Sequence, residues 1–194
     1  MTDPATYTIQ EVVRDTDTST SVPGTYHRFG YIGGKTYGYL LGFHVAAGSS
    51  ITVSDFTIYL AEVGTLPAGV TIKSAIWATA NLVVPVDAAD SVSSDTYDTS
   101  DSFDTDISFT FNDVIPAGYY LWIAVYGTTV AADGISNHLQ IEMHNAATTD
   151  ASIDANYKAY YTLSASGAIE GSPATWTQLT ETYGYAGRWT ITYT

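Results

Sequence analysis

Residues 119–127, Tyr-Tyr-Leu-Trp-Ile-Ala-Val-Tyr-Gly, constrain this chain more than any other stretch. The run is aromatic and β-branched and carries no charge, which suits a strand buried on both faces at the centre of a sheet or sandwich. Pro116-Ala117-Gly118 just before it reads as a turn, because proline presets one φ and glycine accepts a positive one. Two further runs, residues 54–63 and 70–80, look like strands that pack beside or opposite it.

Taken in order, residues 7–13 alternate weakly and predict a first strand, and the polar, turn-rich residues 14–24 predict a loop. In residues 26–45 the glycines Gly30, Gly33, Gly34, Gly38 and Gly42 alternate with Tyr26, Phe29, Tyr31, Tyr37, Tyr39 and Phe43. Glycine inside strand-like sequence marks a bulge or a close backbone approach. The same tyrosines offer an aromatic face for a partner or a sugar. Ile51 and Val53 are followed by Phe56, Ile58 and Leu60, a change of phase at Ser54-Asp55 that predicts a bulge or a bend. Pro85 confines residues 81–87 to an edge at best. Residues 87–106 are the most polar segment, and Ile107, Phe109 and Phe111 restore alternation. Later strands are expected over residues 138–144, 157–163, 176–179 and 187–193. No segment has sustained helical periodicity. About nine or ten strands at a spacing of roughly 8–15 residues argue for an all-β, antiparallel, jelly-roll-like β-sandwich. We expect one domain over residues 1–194, with an N-terminal strand and loop in 1–24 and an acidic loop insertion at 87–106.

Six Lys and Arg oppose 20 Asp and Glu, for a net charge of −14. That balance argues against nucleic acid, whose phosphates require cationic surface. The chain has no cysteine, and so neither disulfides nor thiolate metal sites. No apolar run approaches the ~20 residues of a membrane span, so no membrane association is expected. Residues 1–6 lack a basic and an apolar region, and no secretory leader is expected. An apolar content of 45% and an aromatic content of 13% exceed what a disordered chain carries.

Asp95, Asp98, Asp101, Asp104 and Asp106 are the candidate metal ligands, because hard cations such as Ca²⁺ take carboxylate and carbonyl oxygens. Their spacing matches no EF-hand, and a solvated acidic loop is the competing expectation. His138 and His144 would lie about 20 Å apart on one strand, too far to share an ion. No G-x-S-x-G elbow is present, and no acid pair for glycoside hydrolysis can be placed. No enzymatic activity and no cofactor other than a structural Ca²⁺ is expected. Trp77, Trp122 and Trp189 read as core. Trp176, after the Gly171-Ser-Pro173 turn, reads as a rim residue. With Tyr183 and Tyr185, and with Tyr31, Tyr37 and Tyr39, it makes the candidate interface or glycan-facing aromatics.

Leu60-Ala-Glu-Val-Gly64, Leu66-Pro-Ala-Gly69, Thr71-Ile-Lys-Ser-Ala-Ile-Trp77, Ser108-Phe-Thr-Phe111 and Pro116-Ala-Gly-Tyr-Tyr-Leu-Trp122 follow one another in order. This succession resembles one half of the jelly-roll module of tailed-phage virion structural proteins, which also resembles carbohydrate-binding-like modules. The resemblance implies a non-enzymatic structural protein located in the virion, with a head decoration or capsid-surface role favoured over a tail component. Its partners would be other capsid or tail proteins. The alternative is a carbohydrate-binding module or a tail-associated receptor-binding protein that recognises a cell-surface glycan. The sugar-binding members use exposed aromatics and a structural calcium, and no position here matches theirs residue by residue. A surface of Tyr, Thr and Gly with few charges favours interfaces, so a homo-oligomer is expected, with a trimer favoured.

Overall fold

The computed structural model describes residues 7–9, 26–32, 35–45, 48, 50–66, 68–69, 71–127, 137–142, 158–164, 169, 171, 176–178 and 189–194. Their strands are β1 (Tyr7–Ile9), β2 (Tyr26–Ile32), β3 (Lys35–His44), β4 (Ile51–Val63), β5 (Thr71–Thr79), β6 (Ser91–Val92) and β7 (Tyr97–Asp98). After these come β8 (Thr105–Ile115), β9 (Tyr120–Gly127), β10 (His138–Glu142), β11 (Lys158–Ser164), β12 (Trp176–Gln178) and β13 (Trp189–Tyr193). Every pairing among them is antiparallel, and no helix occurs among the described residues. The all-β, antiparallel reading holds.

β4 is the spine of one sheet. β8 lies along one of its edges, while β13 and β10 share the other in succession. β9 is the spine of the second sheet, between β3 and β5, with β11 outside β3 and with β6 and β7 outside β5. β2 joins the two: residues 26–29 pair with β10, and residues 30–32 pair with β3. The phase change at Ser54-Asp55 is a β-bulge, where the register against β8 shifts between Val53 and Asp55. The bulge lets Val53, Phe56, Ile58 and Leu60 all reach the core despite their broken alternation.

β9 accounts for the arrangement. Leu121, Ile123 and Val125 enter a core shared with Leu41 and Phe43 of β3, Phe56 and Ile58 of β4, and Phe109 of β8. Trp122, Ala124 and Tyr126 enter a second cluster with Leu40, Ala75, Trp77 and Ile169. All six of these side chains are buried, and Tyr120 at the start of the strand is half-buried, so the strand has no wet face. Burying each large apolar side chain contributes about 1.5–3 kcal/mol, and a strand with two apolar faces is stable only when both are covered. The second face is covered in part by residues 80–90, an irregular segment whose Val84 and Ala89 pack against this cluster. No strand forms there, consistent with Pro85.

Two glycines of β3 make room for this second cluster. A Cβ on Gly42 would sit 2.7 Å from Cε3 and 2.9 Å from Cη2 of Trp122, so the indole lies directly on the backbone. A Cβ on Gly38 would meet Ile169 Cδ1 at 2.7 Å and Tyr126 Cβ at 3.1 Å. Glycine to alanine in a strand normally stabilises by about 0.5–1 kcal/mol. Here Gly42→Ala is expected instead to destabilise by about 1–3 kcal/mol, the usual cost of overpacking against a rigid ring. Gly38→Ala is expected to cost less, because the end of Ile169 can turn away. Urea denaturation of the two variants checks the order. A neutral or stabilising Gly42→Ala would contradict the packing.

Candidate functional site

Two surfaces stand out, and they are consecutive in sequence. The first is the acidic segment. β6 and β7 pair with the free edge of β5, at Ser91 and Val92 against Ile76 and Ala75, and at Tyr97 and Asp98 against Ile72 and Thr71. From there the side chains cross to the other sheet. The Thr110 amide donates to Asp95 Oδ2 at 2.6 Å. The Tyr97 hydroxyl donates to the Ser108 carbonyl at 2.6 Å and accepts from the Ser108 amide at 3.1 Å. The Tyr97 ring stands edge-on to Phe109 with centroids 5.3 Å apart, and Phe103 is buried in the main core. The segment is therefore a strap that closes one side of the molecule, anchored by backbone pairing on one sheet and by side chains on the other.

Its aspartates serve the backbone. Asp90 Oδ2 accepts the Ala78 amide at 2.7 Å, and Asp104 Oδ1 accepts the Glu62 amide at 3.0 Å. Asp98 Oδ1 accepts the amide and hydroxyl of Ser100 at 2.7 and 2.6 Å, while Asp101 Oδ2 accepts the Asp98 amide at 2.6 Å. Asp104 adopts φ +63°, a left-handed turn that a short polar side chain tolerates, and its amide reaches the Leu60 carbonyl at 2.8 Å. The Thr110 amide holds the Asp95 carboxyl below its ordinary value, against a smaller opposing effect of burial and with help from the Thr110 and Ser93 hydroxyls. The Ser100 hydroxyl, then its amide, does the same for Asp98.

Asp95, Asp98, Asp101, Asp104 and Asp106, the candidate calcium ligands, lie along the strap and at the start of β8. Among the described residues no three His, Asp or Glu side chains form a group that could hold an ion. The physical reason is that Asp95, Asp98, Asp101 and Asp104 each turn an oxygen onto a different backbone amide. Asp98, Asp101, Asp104 and Asp106 are exposed to solvent and Asp95 is half-buried, so the segment is a solvated acidic excursion several of whose carboxylates also accept backbone amides.

The expected aromatic surface separates. Tyr39 is 3% exposed within the main core, so it cannot face a glycan. Its place follows from strand parity with Leu41 and Phe43, which share its face. Trp176 is half-buried and meets Trp77 edge-on at 6.5 Å, so its ring is used in packing. Tyr31 pairs across β2–β3 with Thr36, and Tyr37 pairs with Gly30 and Leu163. Tyr183 and Tyr185 lie outside the described residues.

The second surface was not foreseen. Leu82, Val83 and Val86 are 42, 58 and 64% exposed. The segment that carries them is pinned from below. Trp77 Nε1 donates to the Asp87 carbonyl at 3.0 Å, and Trp122 Nε1 donates to Thr79 Oγ1 at 2.8 Å. Thr79 Oγ1 in turn donates to the Asn81 carbonyl at 2.8 Å, and the Val83 amide reaches the same carbonyl at 2.7 Å. No protein-family model, curated protein or solved structure matches the chain. The available sequence signal was Leu-Val-Val-Pro-Val itself: an apolar run that proline bars from a sheet interior must show some of its side chains to solvent.

Two outcomes follow from the strap. Asp95 has a folded pKa below the ordinary 3.8, so its ionised form stabilises the fold. That contribution is complete above the ordinary value and is lost as pH falls through the lower, folded one. From about pH 5 to pH 3, the parent protein should lose stability more steeply than Asp95→Asn, which keeps an acceptor but cannot titrate. Equal slopes in acid denaturation would contradict this. Adding Ca²⁺ or a chelator should leave the melting temperature unchanged, and a chelator-induced drop would restore the ion site.

Proposed function

We propose that the protein is a non-enzymatic, jelly-roll structural protein of a tailed-virus particle, attached to the head surface through residues 82–86. The observation that carries this reading is the exposure of Leu82, Val83 and Val86 on a segment whose backbone is already fixed. Contiguous exposed apolar residues mark interaction sites, and a pinned segment loses little conformational entropy when a partner covers it. Asp87 and Asp90 flank the patch and the chain carries a net charge of −14, so the fitting partner is a protein surface with an apolar socket and a cationic rim. The homo-oligomer, a trimer by preference, would bring several such patches to one particle surface and raise avidity.

A glycan-binding or receptor-binding role at the tail is the second reading. It has less support, because Tyr39 and Trp176 are engaged in packing. The test is co-sedimentation of the purified chain with particles stripped of it. Val83→Asp/Val86→Asp should keep the parent melting temperature and weaken particle binding about tenfold or more, since burying a valine contributes about 1.5 kcal/mol and about 1.4 kcal/mol is tenfold. Parent-level co-sedimentation of this variant would contradict the assignment of the patch.

A further inference from the structure

β8 is eleven residues long, yet only β4 pairs with it as a strand among the described residues. On its other side the Ser108 amide and carbonyl and the Thr110 amide point away from β4. These are the groups an incoming strand would use. They are occupied by two side chains, the Tyr97 hydroxyl and the Asp95 carboxylate, on a strap whose own strands β6 and β7 are two residues each. Side chains over an edge deny it to other strands without adding a strand of their own.

We infer that Asp95 and Tyr97 are a displaceable guard over an edge that accepts the β8 strand of a second copy of this chain. The register supports a second copy as the occupant. With Ser108 opposite Ser108 in an antiparallel pair, Ile107 lies opposite Phe109 and Asp106 lies opposite Thr110. No acid then faces an acid on the paired strands. The Ser108 residues exchange both of their outward hydrogen bonds, and the buried row of Ile107 and Phe109 continues across the twofold axis. The same-sign net charge of the two copies opposes this pairing over long range, and salt screens that repulsion within about 10 Å at 0.1 M.

The experiment is sedimentation velocity on Asp95→Ala/Tyr97→Phe, at low and high salt and over a range of concentrations. Phenylalanine keeps a ring against Phe109 while removing the hydroxyl. The expected result is a new species of twice the parent's mass, favoured by concentration and by salt. Adding Thr110→Pro should return the protein to the parent's mass, because proline removes an outward donor and blocks the edge while leaving the β4 ladder intact. A parent-sized species under every condition overturns the inference. So does a larger species that persists with Thr110→Pro, which would mean association through another surface or through unfolding. If the double variant has no cooperative melt, Tyr97→Phe alone, with and without Thr110→Pro, is judged by the same outcomes.

Discussion

A strand without a polar face must be covered on both sides, and β9 is such a strand. Leu121, Ile123 and Val125 are met by the sheet built on β4, which is the ordinary solution of a two-layer β-domain. Trp122, Ala124 and Tyr126 are left facing outward from that pair of layers, and the chain supplies a cover for them from its loops. Residues 80–90 are spent on this task, with Val84 and Ala89 packed against the cluster, the Trp77 indole hydrogen-bonded to the Asp87 carbonyl, and the Trp122 indole bonded to Thr79 at the end of β5, just before the segment. Because one side of this short apolar run is turned inward, Leu82, Val83 and Val86 project outward. The candidate docking patch is thus the outer side of the lid that β9 requires.

The acidic strap solves the complementary polar problem. β5 and β8 are neighbouring edges on different sheets, and their outward amides need acceptors. Seven aspartates between residues 87 and 106 repel one another, yet two charges at ~8 Å in water cost only about 0.5 kcal/mol, less after screening by salt. A hydrogen bond to a charged group returns about 1.5–3 kcal/mol. Carboxylate–amide bonds therefore prevail, and Asp90, Asp95 and Asp104 each close one: at Ala78 on β5, Thr110 on β8 and Glu62 on β4. The acid-rich composition thus has a structural use in these backbone contacts.

Strand type was legible wherever a local pattern decided it. The charge-free β9, the phase slip at Ser54-Asp55 and the alternation of Ile107, Phe109 and Phe111 each became what their periodicity implied. Gly42 was readable as a close approach, but not as a seat for Trp122, because that contact depends on the β3–β9 register. The site was less legible. Aspartate spacing says nothing about which amide lies opposite, so an ion loop and a strap have the same sequence. Tyr39 and Trp176 looked like surface aromatics because strand parity fixes a face only after one knows which face is wet.

Hydrogen exchange at single amides tests most directly the claim that side chains replace strands along these edges. Ala78, Ser108 and Thr110 donate to Asp90, Tyr97 and Asp95 and to no neighbouring strand. If the strap is part of the folded unit, their amides exchange within about tenfold of the β4-paired Ile107 and Phe109, since shared protection is the mark of one cooperative unit. Exchange at the rate of an unstructured peptide for these three amides, with Ile107 and Phe109 still protected, would contradict the account.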